Sequence, residues 1–278
     1  MHRQIWQTAR FQIDLRRPQV MGIVNVTPDS FSDGGRYHST QNALRHCEQL
    51  LNEGADILDI GGESSRPGAA LVDVTDELAR VLPVIEHACR LGVPVSVDTY
   101  KPQVMRAALD LGADIVNDIQ ALQQPGALQL LSEHQKVGIC LMHMRGDAQT
   151  MQLQTEYVEI VQDLTNFLGA RAQALEAAGI AKARIVLDPG YGFAKTYEQN
   201  FEILRRQQEL LSLGYPLLAG WSRKGAIGTV TGRAVNERLA GSLAAALASV
   251  AHGASIVRVH DVAETVDALK VWQAATKN

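Results

Sequence analysis

Eight times along the chain a short aliphatic run leads into a loop rich in glycine or acidic residues, then into a stretch whose apolar positions recur at helical spacing. The aliphatic runs cover residues 20–24, 56–60, 94–97, 115–117, 137–142, 185–187, 217–219 and 255–259. The helical stretches cover 41–53, 74–90, 102–111, 126–134, 157–178, 197–213, 235–252 and 263–274. Gly54, Gly92, Gly112, Gly179, Gly214 and Gly253 follow six of them, where a residue with positive φ ends a helix at least cost. Eight strand-helix units without a break in composition predict an α/β chain closed into a (β/α)8 TIM barrel. Closure leaves no parallel edge strand exposed, as a doubly wound sheet would. The 278 residues, 46% of them hydrophobic, are ample for one such barrel domain spanning 1–278. Within it, residues 1–18 form an extension. Ile5 and Trp6, then Phe11, Ile13 and Leu15, alternate and predict a short N-terminal β-hairpin over the barrel base.

Charge and cysteine usage narrow the class of partner. Twenty-six basic against thirty acidic residues give a formal charge of -4, which points away from nucleic acid and from membrane surfaces and toward small molecules. Cys47, Cys89 and Cys140 are far apart in apolar segments with no C-x-x-C spacing, as expected for reduced thiols of a cytoplasmic protein. The most apolar stretch, 243–251, is far shorter than the roughly 20 residues of a membrane span. No apolar core of signal-peptide length precedes Pro18.

A barrel of this kind carries its chemistry at the carboxyl ends of the strands. The polar clusters fall there: Asn25, Glu63 with Ser64, Ser65 and Arg66, Asp98, Asn117 with Asp118, His143, Asp188, Lys224, and Arg258 with His260. The amino-terminal ends are expected to lack a comparable set. The densest stretch follows the first strand, where a β-branched run stops at Thr27-Pro28 and a polar loop gathers Asp29, Ser30, Ser32 and Asp33 around Phe31. Asp98, Asn117 and Asp188 end three different strands. Buried carboxylates need donors, and a flat heterocycle with an amino group beside a ring N–H supplies two parallel ones. Asn117 both donates and accepts, which suits a ring edge carrying a carbonyl. Each of the three could instead cap the helix that follows, but capping does not require the Asp188-Pro189-Gly190-Tyr191-Gly192-Phe193 turn.

Arg258 and His260, two apart on one strand, share a face, which lies inside the barrel if Ile256 does. Two cations inside a barrel call for an anion. Phosphate or pyrophosphate fits best, with Asn25 and a hard cation such as magnesium (Mg2+) completing its binding. The alternative is an ion pair of Arg258 with an acid such as Asp98. Lys224, in Gly220-Trp221-Ser222-Arg223-Lys224-Gly225, is placed to contact a ring carbonyl or nitrogen. No Gly-x-x-x-x-Gly-Lys-Ser/Thr loop is present, which argues against nucleoside triphosphate hydrolysis.

Taken together, these motifs resemble the dihydropteroate synthase family over nearly the whole length, from Val20 to about Lys270. The most specific pieces are the run from Asn25 to Gly35, Gly61-Gly62-Glu63-Ser64-Ser65-Arg66-Pro67-Gly68, Asn117-Asp118, Asp188-Pro189-Gly190, Ser222-Arg223-Lys224 and Arg258-Val259-His260. The resemblance implies condensation of 6-hydroxymethyl-7,8-dihydropterin pyrophosphate with 4-aminobenzoate, a magnesium cofactor, sulfonamides as mimics of the second substrate, and a homodimer. It implies Asp98, Asn117, Asp188 and Lys224 on the pterin edge, Arg258 on its face, and Met142, Phe193 and Gly220 as walls. It also implies that Asn25 holds the metal and that Arg66, Arg258 and His260 hold the pyrophosphate. The first two loops, including Phe31, Asp33, Ser65 and Pro67, would close over 4-aminobenzoate, Thr27 and Ser222 would bind substrate, and Asp33 would help to stabilise a pterin cation. Ser65 departs from the commoner threonine, Gly225 from a serine, and Gln120 from arginine or serine. A pterin-binding methyltransferase would share the ring pocket but lack the pyrophosphate set, and a silent paralogue would serve as a binding subunit.

Overall fold

The structure, a computed structural model, describes residues 5–27 and 35–276, with side chains for all of these but 35–39. Phe31 and Asp33 therefore lie outside the described residues. Eight parallel strands close into a barrel: β3 (Gln19–Asn25), β4 (Ile57–Gly61), β5 (Val95–Asp98), β6 (Ile115–Asp118), β7 (Gly138–Met142), β8 (Ile185–Asp188), β9 (Leu217–Ala219) and β10 (Ala254–Val259). A two-stranded antiparallel hairpin, β1 (Ile5–Gln7) with β2 (Gln12–Asp14), precedes it.

Alternation along the strands sorts the side chains into two cores. The outward set, including Val24, Leu58, Ile60, Val97, Leu141 and Leu187, packs with the helices. The inward set, Met21, Ile57, Ile115, Cys140, Val186, Leu218 and Ile256, joins Trp6, Ile13 and Leu15 of the hairpin region. The hairpin thus plugs the base, and the barrel has an apolar floor. Two residues further along four of these strands the same face turns polar: Asp59 follows Ile57, Asn117 follows Ile115, Asp188 follows Val186 and Arg258 follows Ile256. Asp98 and Asn117 are register partners, as are Met142 and Asp188.

The amino-terminal ends are not free of polar groups, contrary to expectation. Buried Asp114 takes Arg10 in an ion pair at 2.6 Å and also accepts the Val95 N–H, and Asp56 takes Arg17 at 2.5 Å. Trp6 donates to the Arg184 carbonyl at 2.9 Å. These groups fasten the hairpin to the barrel.

Helices alternate with the strands: α1 (Gly35–Asn52), α2 (Val74–Ala88), α3 (Pro102–Asp110), α4 (Ala127–Glu133), α5 (Ile160–Ala177), α6 (Tyr197–Arg206), α7 (Gly225–Thr231), α8 (Leu239–Ala251) and α9 (Val262–Thr276). All six predicted capping glycines have positive φ. The stretch 157–178 starts later than expected because Glu159 caps α5, accepting from the Gln162 N–H at 2.8 Å. The stretch 197–213 splits into α6 and a 3-10 turn, Gln207–Leu213. Buried Gln207 there takes the Tyr191 hydroxyl and donates to the Ser249 and His252 carbonyls. The stretch 235–252 is α8 preceded by a 3-10 turn, Val235–Glu237. Its unexpected neighbour α7 reads Gly-Ala-Ile-Gly-Thr-Val-Thr, a composition poor in helix formers, and stops at Gly232 with φ +69°.

Candidate active site

Arg258 lies at the centre of the polar layer. Its Nε donates to Asp59 Oδ2 and its Nη2 to Asp98 Oδ2, each at 2.6 Å, so two carboxylates hold one guanidinium. The carboxylate alternative is thus the one realised for Arg258. Burial opposes the charge on Arg258, but Asp59 and Asp98 together hold the guanidinium above its usual basicity. Burial in turn pushes Asp98 up to about 7, against the pull of Arg258 and with help from Asp59. Asn117 Nδ2 reaches the same Asp59 oxygen at 3.3 Å. Asp118 is spent on local structure: its carboxylate accepts the Gln120 and Leu122 N–H groups at 2.7 and 2.8 Å, fixing a turn in which Ala121 and Leu122 have positive φ.

Across the mouth, Asp188 Oδ1 accepts the Gly190 N–H at 2.7 Å. Gly190 has φ +70°, and a Cβ there would stand 2.0 Å from the His143 carbonyl oxygen. Gly190→Ala is therefore expected to lower folding stability by at least about 2 kcal/mol and to abolish ring binding. Urea denaturation with an unchanged midpoint would contradict that. Lys195 is the anchor of this loop. Fully inside the protein, its Nζ contacts the carbonyl oxygens of Gly190, Phe193 and His143 at 3.0, 2.8 and 3.3 Å, and His143 Nδ1 at 3.0 Å. Burial lowers the Lys195 ammonium well below its ordinary pKa and pushes His143 down to about 2. His143, seen at a strand end, is thus a neutral partner within the loop scaffold. Phe193 turns its ring to Lys224, whose Nζ stands 4.0 Å from the centroid. Burial lowers Lys224 to about 8, while Asp188 favours its charged form.

His260 differs from the cation expected of it. Burial, with Arg258 next, lowers it to about 3, so the ring is neutral at ordinary pH. Ser222 Oγ accepts the His260 backbone N–H at 3.1 Å and lies 3.0 Å from Nδ1. Its hydroxyl hydrogen is then free to meet Nδ1, which leaves the ring proton on Nε2. Arg66 and Pro67 are exposed and Ser65 half-buried, on the segment between β4 and α2. Two ties hold that segment over the mouth. Lys101 bridges Glu63 and Glu77 and donates to the Val72 carbonyl, and the Gly68 N–H meets the Ala148 carbonyl at 2.9 Å.

Five atoms of this layer make no hydrogen bond among the described residues and are not sealed in: Asp98 Oδ1, Asn117 Oδ1, Asp188 Oδ2, Lys224 Nζ and Arg258 Nη1. Three acceptors and two donors thus gather at the carboxyl ends of the strands; buried Met142 and Phe193 share one apolar cluster, and a Cβ at Gly220 would stand 4.0 Å from the Arg258 Cβ. Asn25 stands at the end of β3, in register with Gly61, and Thr27 is half-buried just beyond. Among the described residues no group of three or more His, Cys, Asp or Glu could hold a metal ion. One amide oxygen at a strand end suits magnesium that arrives coordinated by a substrate's phosphates.

Sequence reasoning missed Asp59 and Lys195. Asp59 could have been found from its parity with Ile57 and Gly61 on an inward face. Lys195 carried no signal beyond following the Asp188 turn.

The family described as pterin binding enzyme matches residues 21–260. The dihydropteroate synthase of Neisseria meningitidis serogroup B is 54% identical over 280 residues, covering 99% of this chain and 98% of its own. A dihydropteroate synthase structure from Xanthomonas albilineans with 4-aminobenzoic acid superposes with a TM-score of 0.91 at 51% identity, covering 96% of each chain. Another from the same organism, in complex with 7,8-dihydropteroate, gives 0.88 at 48% identity, covering 96% of this chain and 97% of its own.

Proposed function

The chain belongs to the pterin-binding enzyme family, and on that premise we propose that it is a transferase joining a pterin to 4-aminobenzoate to form 7,8-dihydropteroate. The donor in this reading is 6-hydroxymethyl-7,8-dihydropterin pyrophosphate. The observation that carries it is the set of five unfilled hydrogen-bonding atoms in one barrel mouth, which matches the mixed donor and acceptor edge of a pterin.

Asp188 Oδ2 takes the ring's amino and N–H donors, Lys224 donates to the ring carbonyl, and Arg258 lies against the ring face. The bond from the methylene carbon to the pyrophosphate oxygen breaks with its electron pair on oxygen. The electron-rich dihydropterin spreads the resulting positive charge. The neutral arylamine nitrogen then forms the new C–N bond and releases a proton to water. The residues therefore need to stabilise charge on the leaving group, and no nucleophile is required. Arg66 and the His260 Nε2–H are suited to the pyrophosphate oxygens, and Arg258 Nη1 to the oxygen that departs. Magnesium, held by Asn25 and the pyrophosphate, would supply further charge neutralisation. Ser65, Pro67 and Ser222 are proposed to flank 4-aminobenzoate, and Gly225 leaves its carboxylate to backbone N–H groups.

Exposed Val230, Val235 and Leu239, with Val271 on α9, support a homodimer through the last helices, which sedimentation would test. Among the described residues no helix is long and apolar enough to cross a membrane, and a cytoplasmic setting is proposed on cysteine usage. The assay that tests the reading mixes purified protein with both substrates and magnesium. Release of pyrophosphate matched by dihydropteroate is expected, and no release would end the reading.

Two ionisable groups of the mouth give a second expectation. Asp98, at about 7, faces Arg258, Asp59, Glu77 and Asp118, and Lys224, at about 8, faces Asp188, Arg258 and Asp98. Affinity for 6-hydroxymethylpterin should rise as pH climbs through 7, where Asp98 ionises, and fall above 8, where Lys224 loses its proton. In Lys224→Arg the alkaline limb should vanish. An identical limb in that variant would remove Lys224 from the ring edge.

A further inference from the structure

We propose that Asp59 is a positioning residue of the ring pocket: through one carboxylate oxygen it fixes both the plane of Arg258 and the direction of the Asn117 amide. Asn117 then meets the ring with its carbonyl oxygen. This deepens the proposed function and rests on it.

Asp59 lies on β4 beneath the mouth, fully buried, and Oδ2 takes the Arg258 Nε at 2.6 Å and the Asn117 Nδ2 at 3.3 Å. A carboxylate bound to a guanidinium only accepts, so the Asn117 nitrogen must be the atom on that side and its oxygen the atom turned away. Asn117 then aims an acceptor at a ring N–H, while its second amide hydrogen stays able to meet a ring acceptor. Asp98 grips the other edge of the guanidinium at Nη2, 2.6 Å away. With Nε and Nη2 both held, rotation about the guanidinium stem is blocked, leaving Nη1 and the flat face to the ligand. Among the described residues Asp59 Oδ1 is buried without a hydrogen-bond partner, as is the Ser96 hydroxyl, and Ser96 is the register neighbour of Asp59 on β5. A buried carboxylate left half unsatisfied stabilises a fold poorly compared with an apolar residue of the same size. Its direct contacts are instead two residues of the ring pocket.

Removing and restoring that oxygen tests this. Asp59→Leu takes away the acceptor that Arg258 and Asn117 share and is expected to lower kcat/KM for the pterin substrate by about 10- to 100-fold, with the KM for 4-aminobenzoate within about twofold of wild type. Asp59→Asn keeps an amide oxygen that can accept from both. It should recover most of the loss, which filling space alone would not produce. Wild-type efficiency in Asp59→Leu, or an Asp59→Asn no better than Asp59→Leu, would overturn the proposal. Should Asp59→Leu fail to fold, Asp59→Glu carries the test: it keeps the charge but moves the oxygen by one methylene, and it should lose about 10-fold in kcat/KM for the pterin substrate. Wild-type efficiency in Asp59→Glu would overturn the proposal. Absence of pyrophosphate release by the wild type would instead sink the proposed function itself.

Discussion

Arg258→Ala is expected to cost about 3–5 kcal/mol of folding stability at neutral pH, as well as nearly all turnover. The guanidinium neutralises two carboxylates held inside the barrel: Asp59 is wholly buried and Asp98 is mostly so, with 15% of its side chain exposed. Removing it strands both charges in the barrel interior, a larger penalty than the lost hydrogen bonds alone. The sign of the pH dependence follows. Asp98 already has a folded pKa near 7, above the ordinary value of 3.8, so the folded state takes up this proton more readily than the unfolded chain. Protonation relieves the stranded charge, and the deficit of the variant should shrink as pH falls from 7.5 toward 5. Urea denaturation of both proteins at those two pH values would measure it. A deficit under about 1 kcal/mol at pH 7.5, or one that grows in acid, would show that the guanidinium does not neutralise this pair. Because the variant damages the fold, its lost turnover cannot be assigned to the leaving group alone. Arg258→Lys, which keeps one charge but not the fork, separates the two effects.

The barrel was legible because its strands are buried on both faces and its helices end at glycine, signals that survive in a single sequence. The mouth was legible where a polar residue sits in the last position of a strand, as with Asp98, Asn117 and Asp188. Asp59 sits one layer deeper, inside Ile57-Leu58-Asp59-Ile60-Gly61, where a lone acid reads as a defect in a buried strand. Only closure, which brings Arg258 within 2.6 Å of it across β3, gives it meaning. The same closure explains why Arg258 and His260 are not two cations awaiting an anion. Arg258 already has its carboxylates, and burial keeps His260 neutral. Lys195 was hidden for the opposite reason: lysine is common on surfaces, and its three carbonyl contacts arise from the tight path that Gly190 makes possible.

Asp188→Asn isolates ring recognition from scaffolding. The amide oxygen can still accept the Gly190 N–H, so the turn is kept, while the atom facing the mouth changes from acceptor to donor. Donor then faces donor at the ring's amino edge. We predict a loss of pterin affinity of about 3 kcal/mol, near 150-fold, with a melting temperature close to wild type. Lys224 also loses the neighbour that favours its charge, so the alkaline limb should move to lower pH. Calorimetric titration with 6-hydroxymethylpterin checks both points, and unchanged affinity would refute the assignment of Asp188.

A crystal structure of the complex with bound pterin would locate the ring within the barrel mouth. Its amino and N–H edge should lie about 3 Å from Asp188 Oδ2, its face on Arg258, and its methylene should point toward His260 and Asn25. A ring bound away from the β5, β6 and β8 strand ends, or one whose methylene points down toward the apolar floor, would contradict it.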